Sequence, residues 1–378
     1  MKMIKREACI MCKGKLVDLH KFEDFPIYMG VTGSPIENDL YSDMIFSSCK
    51  KCGTVQLKNL IPLDILYAKG HAAVIGDTWK RHHDEFYEFI KDYIKGNIVE
   101  IGGANLMVSK KLARTKSVDK ITVFDKNILQ YQNNEELSDK IKLKEDFFNL
   151  NDVEDDVDVI VHTHLIEHLY NPIEEIYEMS SLLKDGSYMM FAYPVVDEML
   201  KAKFTNAMNF EHSYLIDKSV MTAILKASNF EIVKTKNFSP YTSFVIAKKN
   251  KSIKKELNLS NPLQQQIFEE FFQHHLHDVK QITKQLSISK DRTFIFGAHI
   301  FTQFLLGFGL EEESFSNVLD NDPAKIGNRL YGTSLQVRSP KILKDIENPV
   351  VVLKAAMYTE EIKRDILENI NPDTRFIL

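Results

Sequence analysis

Short apolar runs separated by amphipathic stretches organise most of the chain beyond residue 76. Asn97 to Ile101 (NIVEI), Lys120 to Phe124 (KITVF), Ile141 to Lys144, Val157 to Val161 (VDVIV) and Gly186 to Ala192 read as strands. Helices are predicted over 106–114, 128–137 and 173–183, and a last strand pair over 231–235 and 243–247. Upstream, Trp79, Phe86, Phe89, Ile90 and Tyr93 recur at helical spacing behind charged neighbours, so 77–93 reads as one amphipathic helix. Strands that alternate with helices form a parallel, doubly wound α/β sheet, and ligands bind beyond the carboxyl ends of its strands. A long helix over 262–286 leads into a second alternating unit with strands at 293–297, 316–320, 349–353 and 374–378. The charged stretch from Lys248 to Lys255 between the two units reads as a solvated linker. Residues 1 to 65 show little helical periodicity and carry Gly30, Gly33, Pro35 and Asn38, so they read as irregular.

At 378 residues the chain exceeds what one hydrophobic core usually supports, and three domains are expected, at 1–68, 69–250 and 251–378. A net charge of -5 gives no basic footprint, so nucleic acid is not an expected partner. No apolar stretch approaches the ~18 residues of a membrane span, and the opening Met1-Lys2-Met3-Ile4-Lys5-Arg6 lacks a signal-peptide core. The expectation is a cytoplasmic protein without membrane insertion.

The four cysteines fall in two C-x-x-C pairs, Cys9 with Cys12 and Cys49 with Cys52. Two such pairs complete a tetrahedral tetrathiolate zinc site, closed to water and substrate and therefore structural. Disulfides are the alternative, but a chain of this size does not need covalent staples. A zinc ion would replace the core that the first 65 residues do not build.

Candidate chemistry begins where the NIVEI strand meets Glu100-Ile101-Gly102-Gly103. Glycines there let the backbone approach a ligand, but the G-x-G-x-x-G spacing that serves a pyrophosphate is missing. The second strand ends at Asp125, placed to accept hydrogen bonds from ribose hydroxyls. The third leads to Asp146 and Phe147, a carboxylate and a ring suited to an adenine. This combination resembles a class I S-adenosylmethionine-dependent methyltransferase, with Glu100, Gly102, Gly103, Asp125, Asp146 and Phe147 as cofactor-binding residues.

Other segments narrow the resemblance. Cys49-Lys50-Lys51-Cys52-Gly53-Thr54-Val55-Gln56-Leu57 is similar to the second zinc knuckle of the sugar C-methyltransferases. His164-Leu165-Ile166-Glu167-His168-Leu169-Tyr170-Asn171-Pro172 resembles that family's segment after the fourth core strand, and the run from Phe294 to Gly327 resembles its third domain. The resemblance covers nearly the whole chain. It implies a Rossmann-like methyltransferase core flanked by an N-terminal zinc lobe and a C-terminal Rossmann-like acceptor-binding domain. It also implies S-adenosylmethionine, structural zinc and a small-molecule acceptor, a keto nucleotide-sugar methylated at carbon. Attack through oxygen, and a non-catalytic binding relative, stay open.

In Phe210-Glu211-His212-Ser213-Tyr214, similar to the family's H-E-H-L-S-Y, the resemblance implies His212 as base, Glu211 as its partner and Tyr214 as a second acid or base. Phe210 departs from the first histidine of that pattern, and the missing leucine shifts Tyr214 by one position. Ala298-His299-Ile300 stands where the family carries an Ala-Lys-Gly step near the substrate diphosphate. His164 to His168 also fits the H-x-x-E-H peptidase motif, but it follows an apolar strand, so His164 and His168 are expected to line the cofactor pocket or pack beneath it. His274, His275 and His277 lie on a polar helix and are expected at the surface.

Overall fold

The computed structural model describes residues 2–68, 76–103, 105–128, 137–253, 259–286, 292–355 and 358–378. The helix expected over 128–137 lies almost wholly outside the described residues, as do 254 and 255 of the expected linker. The chain divides into two compact units: Met1–Val17, Ser47–Glu198 and Glu211–Gln265 form one, and Asp18–Phe46, Met199–Phe210 and Gln266–Leu378 the other. This interleaved division differs from the partition at 1–68, 69–250 and 251–378, because the chain enters the second unit three times and sequence adjacency does not report that.

The first unit holds a seven-stranded sheet. Its strands are β1 (Gly96–Ile101), β2 (Val118–Phe124), β3 (Ile141–Lys144), β4 (Val157–Thr163), β5 (Leu183–Pro194), β6 (Phe230–Ser239) and β7 (Thr242–Lys249), in the order β6-β7-β5-β4-β1-β2-β3. The strands β1 to β5 pair in parallel, while β7 runs antiparallel to both β5 and β6. Central strands of a covered parallel sheet are apolar on both faces. Accordingly Ile98, Val99, Val159, Ile160 and Val161 are all buried.

Helix α1 (Asp77–Ile90) buries His82, His83, Phe86, Phe89 and Ile90, whereas Trp79, expected on that face, is 45% exposed. Helix α2 (Met107–Leu112) follows β1, and α3 (Pro172–Leu182) precedes β5. Lys248 and Lys249 are not linker but the end of β7. The Lys249 ammonium is buried and donates to Ser180 O and to Leu183 O at 2.7 Å, so it neutralises carbonyls at the end of α3. No helix among the described residues is long and apolar enough to cross a membrane.

The second unit contains most of α4 (Pro262–Gln285) and a five-stranded parallel sheet. Its strands are β8 (Thr293–Phe296), β9 (Asn317–Leu319), β10 (Val337–Arg338), β11 (Val350–Leu353) and β12 (Arg375–Ile377), ordered β10-β9-β8-β11-β12, with α5 (Ile300–Gly307) after β8.

The N-terminal region is not irregular: it forms strands at Leu16–Pro26 and Tyr41–Cys49. Phe22 and Phe25, three residues apart, are both buried because Asp24 adopts φ 43°, a left-handed break that resets the alternation. Their rings pack on Phe304 at 5.3 and 4.7 Å. Asp39 holds Arg329 through two bonds of 2.6 and 2.7 Å, both side chains being buried. His275, expected at the surface, is also buried, its ring 5.1 Å from that of Phe308.

Candidate functional site

The order of strands reverses between β1 and β4, which opens a crevice at their carboxyl ends. Hydrogen bonds continue the ladders one residue past each strand: Gly102 N donates to Phe124 O (2.8 Å), Asp125 N to Lys144 O (3.2 Å) and His164 N to Ala192 O (2.9 Å). Gly102, Asp125 and His164 are thereby fixed along one edge. They line a cavity of about 400 Å³, within the range of ~300–1,000 Å³ typical of small-molecule sites.

From β2 and β3 the cavity receives Asp125, Asp146 and Phe147. Asp125 accepts from Asn127 N (2.8 Å), and Asp146 from Phe147 N (2.8 Å). Lys126 Nζ lies 3.5 Å from Asp146 and 5.3 Å from the centre of the Phe147 ring. Gly102 takes φ +77°, which favours glycine. Gly103 is not at the cavity wall; a Cβ there would come within 2.8 Å of both Glu100 and Val123, so this glycine is required by close packing.

Glu100 likewise sits beneath the cavity rather than in its wall. It is 2% exposed and accepts from the Ser109 hydroxyl. Burial, reinforced by the Asp125 charge and opposed by the Ser109 hydrogen bonds, raises its pKa from 4.5 to about 7. The folded state therefore holds the proton more tightly than the unfolded chain. The resulting stabilisation is complete below pH 4.5 and is lost as the pH rises through about 7. In Glu100→Gln this dependence should disappear, a difference of the order of 3 kcal/mol. Melting curves at several pH values test it, and parallel pH profiles for the two proteins would refute the assignment.

After β4 come His164, Leu165 and His168, and from the segment before α-helix Lys218–Ala227 comes Glu211. His164, with φ 53°, places Nδ1 3.2 Å from Glu167 Oε1. Tyr67 and His168 share a hydrogen bond of 2.9 Å between the phenol and Nδ1. The same Nδ1 is 3.7 Å from Glu211 Oε2, and the His168 ring meets that of His212 edge-on at 5.2 Å. His212 is half-buried behind this wall. Glu167, fully buried, is pushed up by burial, but the His164 hydrogen bond and the His168, His164 and His212 charges outweigh that and hold its pKa down at about 2.

Tyr214 is placed differently from expectation. It is fully buried, donates to Ile166 O at 2.6 Å and does not line the cavity. Burial drives its pKa far above the ordinary value, so its phenol is suited to framing rather than proton transfer. Tyr67 was not singled out in the sequence, since nothing local marks a tyrosine whose partner lies 101 residues away.

Away from this cavity, one sulfur atom from each of Cys9, Cys12, Cys49 and Cys52 lies within 4.8 Å of the others. The Sγ atoms of Cys9 and Cys52 are 3.6 Å apart, and those of Cys12 and Cys49 3.4 Å. A tetrahedron with Zn–S bonds of about 2.3 Å has edges of about 3.8 Å, so the set is compatible with zinc. Each knuckle closes through backbone bonds, Cys9 N to Gly14 O (2.9 Å) and Cys49 N to Thr54 O (3.0 Å). A Cβ on Gly14 would lie 2.8 Å from the Cys49 sulfur, and one on Gly53 2.2 Å from Asn261 O.

Residues 80–235 match the model of a methyltransferase domain. None of the curated proteins compared with the chain matches it. Among solved structures, it is similar to the S-adenosylmethionine-dependent methyltransferase from Mesorhizobium loti, with 11% identity over 46% of this chain and 98% of that one and a TM-score of 0.38. It is also similar to the N-methyltransferase NodS from Bradyrhizobium japonicum WM9 in complex with S-adenosyl-l-homocysteine, at 16% identity, 48% and 93% coverage and a TM-score of 0.36. A third likeness is to magnesium protoporphyrin IX methyltransferase (ChlM) from Synechocystis PCC 6803, with 13% identity, 46% and 84% coverage and a TM-score of 0.37. The matched domain contains β1 to β5 and most of the residues around the cavity, and the chain is an S-adenosylmethionine-dependent methyltransferase.

Proposed function

We propose that this methyltransferase acts on a carbohydrate intermediate, placing a methyl group on the carbon beside the ketone of a nucleotide-linked sugar, in surface-polysaccharide or deoxysugar biosynthesis. The observation that carries the reading is the grouping of His168 and Glu211 at one cavity with Asp125, Asp146 and Phe147, with the His212 ring in edge contact with that of His168. His212 takes the proton alpha to the carbonyl, and Glu211 orients the histidine pair. Bound S-adenosylmethionine supplies the electrophilic methyl group. For transfer of that group to the acceptor carbon, in-line placement is the main demand on the protein.

On the cofactor side, Asp125 accepts from the ribose hydroxyls, and Asp146 and Phe147 hold the adenine. Gly102 and His164 stand against the remainder, with Glu100 and Gly103 bracing the turn from beneath. The four cysteines hold a structural zinc ion.

Labelled S-adenosylmethionine incubated with a panel of keto nucleotide-sugars tests the acceptor class. Carbon NMR should show the label on a carbon neighbouring the carbonyl; label on oxygen, or none in any keto sugar, would reject it. Asp125→Asn should weaken S-adenosylhomocysteine binding by about tenfold to a hundredfold, the loss of charge-assisted hydrogen bonds. An unchanged dissociation constant by calorimetry would remove Asp125 from the cofactor site.

A further inference from the structure

We infer that Arg6, which does not itself line the cavity, is a positioning residue that fixes the loops carrying His168 and His212. This deepens the proposed function and rests on His212 being the base. The Arg6 side chain is 7% exposed and its guanidinium donates to four acceptors. Nη1 bonds Leu57 O (3.1 Å) and Ser213 O; Nη2 bonds Tyr170 O (2.7 Å) and Ser213 Oγ (3.0 Å). Ser213 directly follows His212, and Tyr170 lies two residues beyond His168. The Ser213 hydroxyl passes the linkage on, donating to Leu169 O at 2.6 Å, and Ser213 N donates to Glu167 O at 3.1 Å.

All four acceptors are neutral, and burial lowers the Arg6 pKa only to about 10, so the group stays charged at neutral pH. Burying a charge that no carboxylate bonds directly is costly, and an apolar side chain would fill the space more cheaply. A planar fork does what an apolar group cannot: it sets the direction of carbonyls from three chain segments at once. The backbone of Arg6 is itself anchored, its N–H donating to Lys58 O (2.9 Å) beside the pairing of Ile4–Lys5 with Asn59–Leu60.

The experiment uses the full-length, zinc-loaded protein with histidine ring nitrogens labelled, and the variants Arg6→Met and Arg6→Lys. The ring resonances of His168 and His212 should move in both variants, while that of His277, exposed on α4, stays in place. With a keto-sugar acceptor in hand, kcat should fall by about tenfold or more at unchanged affinity for S-adenosylhomocysteine. Variants that bind S-adenosylhomocysteine normally with unmoved His168 and His212 resonances would overturn the inference. Should Arg6→Met fail to bind, Arg6→Lys, which keeps the buried charge, decides on the same resonances. Full turnover by His212→Ala would instead defeat the reading of His212 as base, and the resonance shifts would still report on Arg6.

Discussion

Replacing His212 with alanine should slow methyl transfer by a factor of about 10² to 10⁴, the usual contribution of a positioned base. The affinity for S-adenosylhomocysteine should hold within about twofold, because an interaction made only during the reaction lowers kcat without changing cofactor binding. The geometry explains why cofactor affinity should hold. His212 does not line the cavity that holds Asp125, Asp146 and Phe147; it stands behind His168, ring edge to ring face at 5.2 Å. His168 in turn is held by Tyr67 at 2.9 Å. Beneath them the Glu167 carboxylate, with its pKa held near 2, remains a fixed negative charge throughout the working range of pH. His162 is unsuited to share the role, since burial lowers its pKa to about 3 and its ring nitrogens have no hydrogen-bond partner among the described residues. Single-turnover rates and calorimetry on the same preparation would separate the two quantities. Undiminished turnover would remove His212 from the mechanism; a matching loss of cofactor affinity would make it a structural residue.

The central sheet is legible in the sequence because its inner strands bury both faces and so read as apolar runs, as in Val159, Ile160 and Val161. Asp125 and Asp146 can be placed for the same reason, since Asp125 directly follows β2 and Asp146 lies two residues past the end of β3. The features that the sequence does not show share a physical cause. The three-residue spacing of Phe22 and Phe25 suits a helix face and does not fit a strand until the left-handed backbone at Asp24 is known. Lys249 reads as solvent-facing until two carbonyls are found around its ammonium. His275 sits among polar neighbours in sequence but against Phe271 and Phe308 in space. Tyr214 shows the converse: its place in a motif suggested chemistry, and its bond to Ile166 O gives it a framing role.

Loss of the proposed zinc should reach the active site through one strand. Cys49 and Cys52 end three residues before Val55–Leu57. That strand holds the segment after His212 directly, with Leu57 N donating to Ser213 O (3.0 Å), Leu215 N to Val55 O (2.9 Å) and a bridge between Gln56 and Tyr214. The other knuckle grips the same strand, since Ile10 N donates to the Gln56 side chain at 3.1 Å. A tetrathiolate zinc contributes folding free energy of the order of 10 kcal/mol in isolated knuckles, so removing one ligand frees the strand and, with it, Glu211 and His212. Cys49→Ser should therefore contain no zinc, melt at a lower temperature and lose turnover by about a hundredfold or more, the penalty for misplacing a reacting group by about 1 Å. The proposed cofactor residues Gly102, Asp125, Asp146 and Phe147 follow the ends of β1 to β3, whose core does not depend on the knuckles, so binding of S-adenosylhomocysteine should suffer far less than turnover. Metal analysis, melting curves and calorimetry on one preparation decide the matter. Zinc retained at full stoichiometry would reject the tetrathiolate assignment, and full turnover without zinc would show that the knuckles do not support the catalytic loop.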